Sequence, residues 1–158
     1  MAAGASRVIA VTGANRGAGY FAVRHICADY AKSPLNTGPL VLDLTARRPE
    51  RGITALFDLL AEPDLQRAGV RDRDGFITLR YHQLDTADPD SINRFRNYLK
   101  TEHPNGIDVR VNNAAHFDSN YDREFPLRLF RGVCRSQELT RSRGWGRRGA
   151  ETDYDLLL

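Results

Sequence analysis

Two rhythms alternate along most of this chain: short apolar runs rich in β-branched residues, and longer stretches with an apolar residue every three or four positions. "RVIAVT" at residues 7–12 reads as a strand, and Val23, Ile26, Cys27 and Tyr30 then keep helical spacing. "GPLVLDLTAR" reads as a second strand introduced by Gly38 and Pro39, and "ITALFDLLAE" as a helix with Ile53, Leu56, Phe57 and Leu60 on one face. A third strand is "GFITLRYHQLD". Asp88 and Pro89 fit the N-cap and first position of a helix carrying Ile92, Phe95 and Leu99, and "GIDVRVNNAA" gives a fourth strand. The order β-α-β-α-β-α-β predicts a parallel sheet with right-handed crossovers and helices on both faces. Any ligand crevice should then lie beyond the carboxyl ends of the strands.

Between the first strand and the first helix the chain reads "VTGANRGAGYFAV", with three glycines in seven positions. In a regular element each glycine would cost about 0.5–1 kcal/mol relative to alanine, so the cluster needs a local reason. A strand, a tight turn and a helix start aim unpaired backbone N–H groups at one spot, where an anion can bind. A tight βα turn that binds nothing would carry the same glycines. Further residues gather at the other strand ends: Arg47 after the second, Asp85 after the third and Asn113 after the fourth.

Composition narrows the possibilities. At 158 residues and 41% hydrophobic content, one domain with a sizeable core is expected. The N-terminus shows neither a membrane-spanning run nor a secretion signal, which makes the cytoplasm the expected location. Cys27 and Cys134 match no metal spacing, and Cys27 falls on the apolar stripe of the first helix. Histidines 25, 82, 103 and 116 are scattered singly, so no metal site is expected. Charge is uneven: residues 1–122 hold fifteen Lys/Arg and fifteen Asp/Glu, whereas residues 123–158 hold eight arginines against five acids. The domain is therefore expected over residues 1–122, followed by a divergent basic tail over 123–158.

With those residues in view, "TGANRGAG" is similar to the TGxxxGxG element of the short-chain dehydrogenase/reductase family, and "NNAA" resembles its NNAG element. "LTAR" and "HQLD" resemble the carbonyl reductase branch. The resemblance covers residues 7 to about 117, the cofactor-binding half of such a protein. It implies a Rossmann-type three-layer αβα fold of α/β class, strand order 3-2-1-4, incomplete relative to the family. It also implies a cofactor site made by Gly13, Asn15, Arg16, Gly17, Ala18 and Gly19 in the turn, Arg47, Asp85, Thr86, Asn113 and Ala114. Ala18 stands where a larger aliphatic residue is common, and Ala115 where glycine is usual.

Arginine forks at Arg16 and Arg47 suit the 2′-phosphate of NADPH, whereas an acid at the tip of the second strand would suit NAD. Asp43 lies inside that strand, and we expect it to face a flanking layer instead. The family's catalytic pair, a tyrosine with a lysine four residues later, is absent: the residues four after the six tyrosines are Arg24, Pro34, Asp85, Glu102, Phe125 and Leu158. No catalytic residue is therefore assigned, and a carbonyl substrate is expected only of a full-length relative. Two other functions follow from the residues: a dinucleotide-binding fragment without chemistry, and nucleic-acid binding through the arginine-rich tail, where Trp145 could stack on a base. Arg110, in the middle of a strand expected to be covered on both faces, needs a partner or an edge.

Overall fold

The computed structural model describes residues 6–34 and 36–115. The expected tail at 123–158, and the last residues of the expected domain, lie outside the described residues. The elements are β1 (Arg7–Val11), α1 (Gly17–Asp29), a 3-10 turn (Tyr30–Lys32), β2 (Leu40–Ala46), α2 (Pro49–Ala61), α3 (Pro63–Arg67), β3 (Val70–Arg71), β4 (Ile77–Gln83), α4 (Pro89–Glu102) and β5 (Val109–Val111). All pairings are parallel, and the sheet runs β3-β4-β2-β1-β5. The four expected strands, β4, β2, β1 and β5, stand in the expected order. Helix α3 and edge strand β3 were not foreseen, because five and two residues are too few to show a period.

Strand alternation sorts the side chains into two cores. Ile9 and Val11 of β1 and Leu40, Leu42 and Leu44 of β2 join Val23 and Cys27 of α1, Leu59 of α2 and Leu65 of α3. Val8 and Ala10, pointing the other way from β1, meet Phe95 and Leu99 of α4 and Ile107. As expected, Asp88 caps α4, its side chain accepting from the Asp90 N–H at 3.0 Å, with Pro89 next.

Helix α2 is turned differently from its sequence reading. Its buried residues are Gly52, Ala55 and Leu59; Leu56 and Leu60 are half-buried, while Ile53 and Phe57 are 43% and 64% exposed. The cause is Gly52. A Cβ there would lie 2.0 Å from Tyr81 Cε2, so the bare glycine seats the Tyr81 ring of β4 and rotates the apolar stripe away from the sheet.

Strand β5 also departs from expectation. All three of its residues are half-buried, so Arg110 is not enclosed on both faces. Among the described residues β5 pairs with β1 alone, which leaves it at the sheet's end.

Cys27 is fully buried, and burial pushes its thiol up to about 12, with the Glu62 charge adding to the effect. The reactive thiolate should thus be about a thousandfold scarcer near pH 9 than on an unfolded chain. In the native chain, alkylation mapped by peptide mass spectrometry should spare Cys27 at that pH and reach it once denaturant is added. Equal labelling in both states would show that α1 opens readily.

Candidate functional site

Three glycines make the turn between β1 and α1, and each does a different job. Gly13 has φ +65, and a Cβ on it would stand 2.9 Å from Ala114 Cα, so it lets the turn touch the end of the β5 segment. Gly19 is buried against the Asn113 side-chain amide, 2.4 Å from where its Cβ would be. Gly17 has φ +59 and nothing within 4 Å of its Cβ position, so its bare backbone faces open space. Helix α1 starts there with no side-chain cap and no acid in its first turn, leaving N–H donors available to an anion.

The turn is stapled to β5 through Thr12 and Asn113. Thr12 Oγ1 accepts from the Asn113 and Ala114 N–H groups, both at 3.0 Å. The Asn113 side-chain amide donates to the Thr12 and Gly13 carbonyls, both at 3.1 Å. Four backbone and side-chain bonds thus hold the glycine turn and the fourth expected strand end as one unit.

A cavity of about 540 Å³ opens at the carboxyl ends of the strands. It is lined by Gly13, Asn15, Arg16, Gly17, Arg47, Arg48, Arg51, Leu84, Asp85, Thr86, Asn113, Ala114 and Ala115. Nine of the eleven expected site residues meet there, with Ala115 of the same motif beside them. Ala18, which is exposed, and Gly19, which is buried behind the turn, do not line it. Arg48, Arg51 and Leu84 were missed. Arg51 lies on the first turn of α2, whose start Pro49 marks, and that proline is the signal that could have found it.

The cavity is strongly cationic. Arg16, Arg47, Arg48 and Arg51 converge on it, and none forms an ion pair with another described residue. Among the described residues Asp85 is the single acid in the lining, and its Oδ1 accepts from the Ala87 N–H at 3.0 Å. Planar guanidinium groups without carboxylate partners are suited to phosphate oxygens.

Asp43 lies on the other side of β2, away from this cavity and fully buried. Tyr98 Oη donates to its Oδ1 at 2.8 Å, and His103 Nε2 lies 2.7 Å from Oδ2. Burial, then the Asp43 charge, pushes the Tyr98 hydroxyl above the usual phenol range and keeps it a donor. Asp43 therefore faces the α4 layer, as expected, and offers nothing to a ribose in the cavity. His103 was read as a scattered histidine; its partner lies 60 residues away in sequence, so no local spacing reveals it. Among the described residues no cluster of His, Cys, Asp and Glu could hold a metal ion. Among them, too, no helix is long and apolar enough to cross a membrane.

No family model matches the chain. Individual proteins do. Carbonyl reductase (NADPH) 3 of Mus musculus is 38% identical over 110 residues, which is 70% of this chain and 32% of that protein. Carbonyl reductase (NADPH) 1 of Sus scrofa is 39% identical over 110 residues, covering 70% and 30%. Among solved structures, menthone neomenthol reductase from Mentha piperita aligns with a TM-score of 0.52 and 26% identity, over 70% of this chain and 32% of that one. The chain belongs to the short-chain dehydrogenase/reductase family, carbonyl reductase type. It spans about a third of the length of the curated reductases it matches. An alcohol dehydrogenase from Thermococcus sibiricus, solved with 5-hydroxy-NADP, shares the fold at a TM-score of 0.53 and 20% identity.

Proposed function

We propose that the crevice binds NADPH and that the chain is the cofactor-holding half of a carbonyl-reductase-type oxidoreductase. The observation that carries this reading is the convergence of four arginines, without ion-pair partners among the described residues, on the cavity that the glycine turn opens into. The space in front of Gly17, which a side chain would fill, fits a pyrophosphate approaching the start of α1. Arg16, Arg47 and Arg51, with Arg48 beside them, would hold the 2′-phosphate, and Asp85 and Thr86 would border the adenine. Asn113 and Ala114 would line the path toward the nicotinamide. The bound cofactor supplies hydride; the residues of this chain bind and orient it. Reduction of a carbonyl belongs, in this reading, to a longer protein of the same type, and the two relatives are named for that activity with NADPH.

Fluorescence titration tests the reading. The full chain should bind NADPH at least tenfold more tightly than NADH, and Arg47→Ala should remove most of that preference. A lost charge-assisted hydrogen bond is worth about 1.5–3 kcal/mol, or roughly tenfold and upward, for the phosphorylated cofactor and little for the other. Equal dissociation constants for the two cofactors in the parent chain would sink the idea.

A further inference from the structure

We propose that Gln83 and Ser91 are positioning residues that set the gap between the arginine wall and the Asp85 wall of the crevice, and so its selectivity for a 2′-phosphorylated cofactor. The proposal rests on the NADPH reading above. Arg47 and Arg48 leave the end of β2, while Asp85 and Thr86 leave the end of β4. The two strands are neighbours, and their register closes with Ala46 opposite Gln83, just before the chains part around the cavity. The Leu84 N–H bond to the Ala46 carbonyl, 3.0 Å, is the last main-chain link between them.

Beyond that point a side-chain bridge takes over. Gln83 Nε2 donates to the Arg47 carbonyl at 3.2 Å. Ser91 Oγ, on the first turns of α4 and fully buried, donates to Gln83 Oε1 at 2.9 Å and accepts from the Asp85 N–H at 2.9 Å. The three bonds run from the Arg47 carbonyl to the Asp85 amide, and every group is used in a consistent sense. Turning the Gln83 amide over would set its oxygen against the Arg47 carbonyl, so the bridge selects one orientation.

The consequences fall unevenly on the crevice. The glycine turn is fixed independently by Thr12 and Asn113, and the start of α4 is fixed by the Asp88 cap and by Phe95 in the core. The arginine segment after β2, anchored by the Ala46 pairing on one side and the seat of α2 on Tyr81 on the other, takes from Gln83 the side-chain bond that reaches across to the opposite wall. Phosphate contacts with guanidinium groups need the gap between the walls held, because charge-assisted bonds weaken quickly as geometry loosens. A cofactor without the 2′-phosphate makes no such demand.

The test uses the full chain, with NADPH and NADH as probes, in Gln83→Met and Ser91→Ala. Loss of one positioning hydrogen bond should weaken NADPH about five- to tenfold and NADH less than about twofold, so the ratio of the two constants falls. A merely structural role would lower both affinities together or shift the melting temperature with the ratio intact, and either result would overturn the proposal. If Gln83→Met does not fold, the ratio in Ser91→Ala decides. A parent chain that binds NADPH selectively, with a ratio that neither variant changes, defeats the bridge alone; a parent without selectivity defeats the NADPH reading and the bridge with it.

Discussion

Replacing Asp43 by alanine should cost the folded chain about 2–6 kcal/mol, since a buried polar group left without its partner costs about 1–3 kcal/mol and two such groups are stranded. Asp43 is fully buried in β2, which lies between β1 and β4 in the sheet, and accepts from Tyr98 at 2.8 Å while holding the His103 ring at 2.7 Å. Alanine would leave the Tyr98 hydroxyl and the His103 ring beside an apolar gap, each losing its partner inside the α4 layer. The damage should spread to the turn before β5, since His103 closes α4 through the Leu99 carbonyl and its own carbonyl accepts from Gly106. Asp43→Asn keeps an acceptor for Tyr98 and should cost less. Urea unfolding measures both, with the midpoint falling in that order. A loss below about 1 kcal/mol in Asp43→Ala would show that Tyr98 and His103 find other partners, contrary to this account.

That cluster also marks where sequence reading stops. Strands β1, β2 and β4 and the Asp88 cap of α4 declare themselves locally, through alternation, spacing and an N-cap followed by proline. The glycine turn does so as well, because positive φ at Gly13 and Gly17 and a close approach at Gly19 demand glycine. Long-range partners leave no local mark. The seat of Tyr81 on Gly52 turns α2, although the helix's own apolar spacing favours Ile53 and Phe57 as its inner face. Arg48 and Arg51 join the crevice because α2 begins at Pro49 directly beyond β2, a placement that depends on where the helix starts. The Asp43–His103 contact joins residues 60 apart in sequence and becomes visible only when β2 and the end of α4 are packed.

The full 158-residue chain, loaded with NADPH, should reduce aldehydes or quinones at least about 10²-fold more slowly than a member of the family that carries a positioned tyrosine and lysine. Hydride arriving at a carbonyl carbon leaves an alkoxide that must be protonated, and a positioned acid contributes roughly 10²–10⁴-fold to such a step. A free phenol, with a pKa of about 10, is a weak donor near neutrality unless a cation is set beside it. None of the six tyrosines of this chain has a lysine four residues on, and its two lysines, Lys32 and Lys100, lie on the 3-10 turn and near the end of α4, away from the residues that line the crevice. Tyr98, the most strongly perturbed tyrosine among those described, is perturbed the wrong way: burial and Asp43 raise it, and it donates into the core. Binding and chemistry should therefore separate, with NADPH held selectively and oxidised no faster than background. The measurement is NADPH consumption with a carbonyl substrate, in the parent and in Gly17→Trp, where the indole would fill the open space before α1. Substantial turnover in the parent that vanishes in Gly17→Trp would reveal a proton donor of a different kind acting at this crevice.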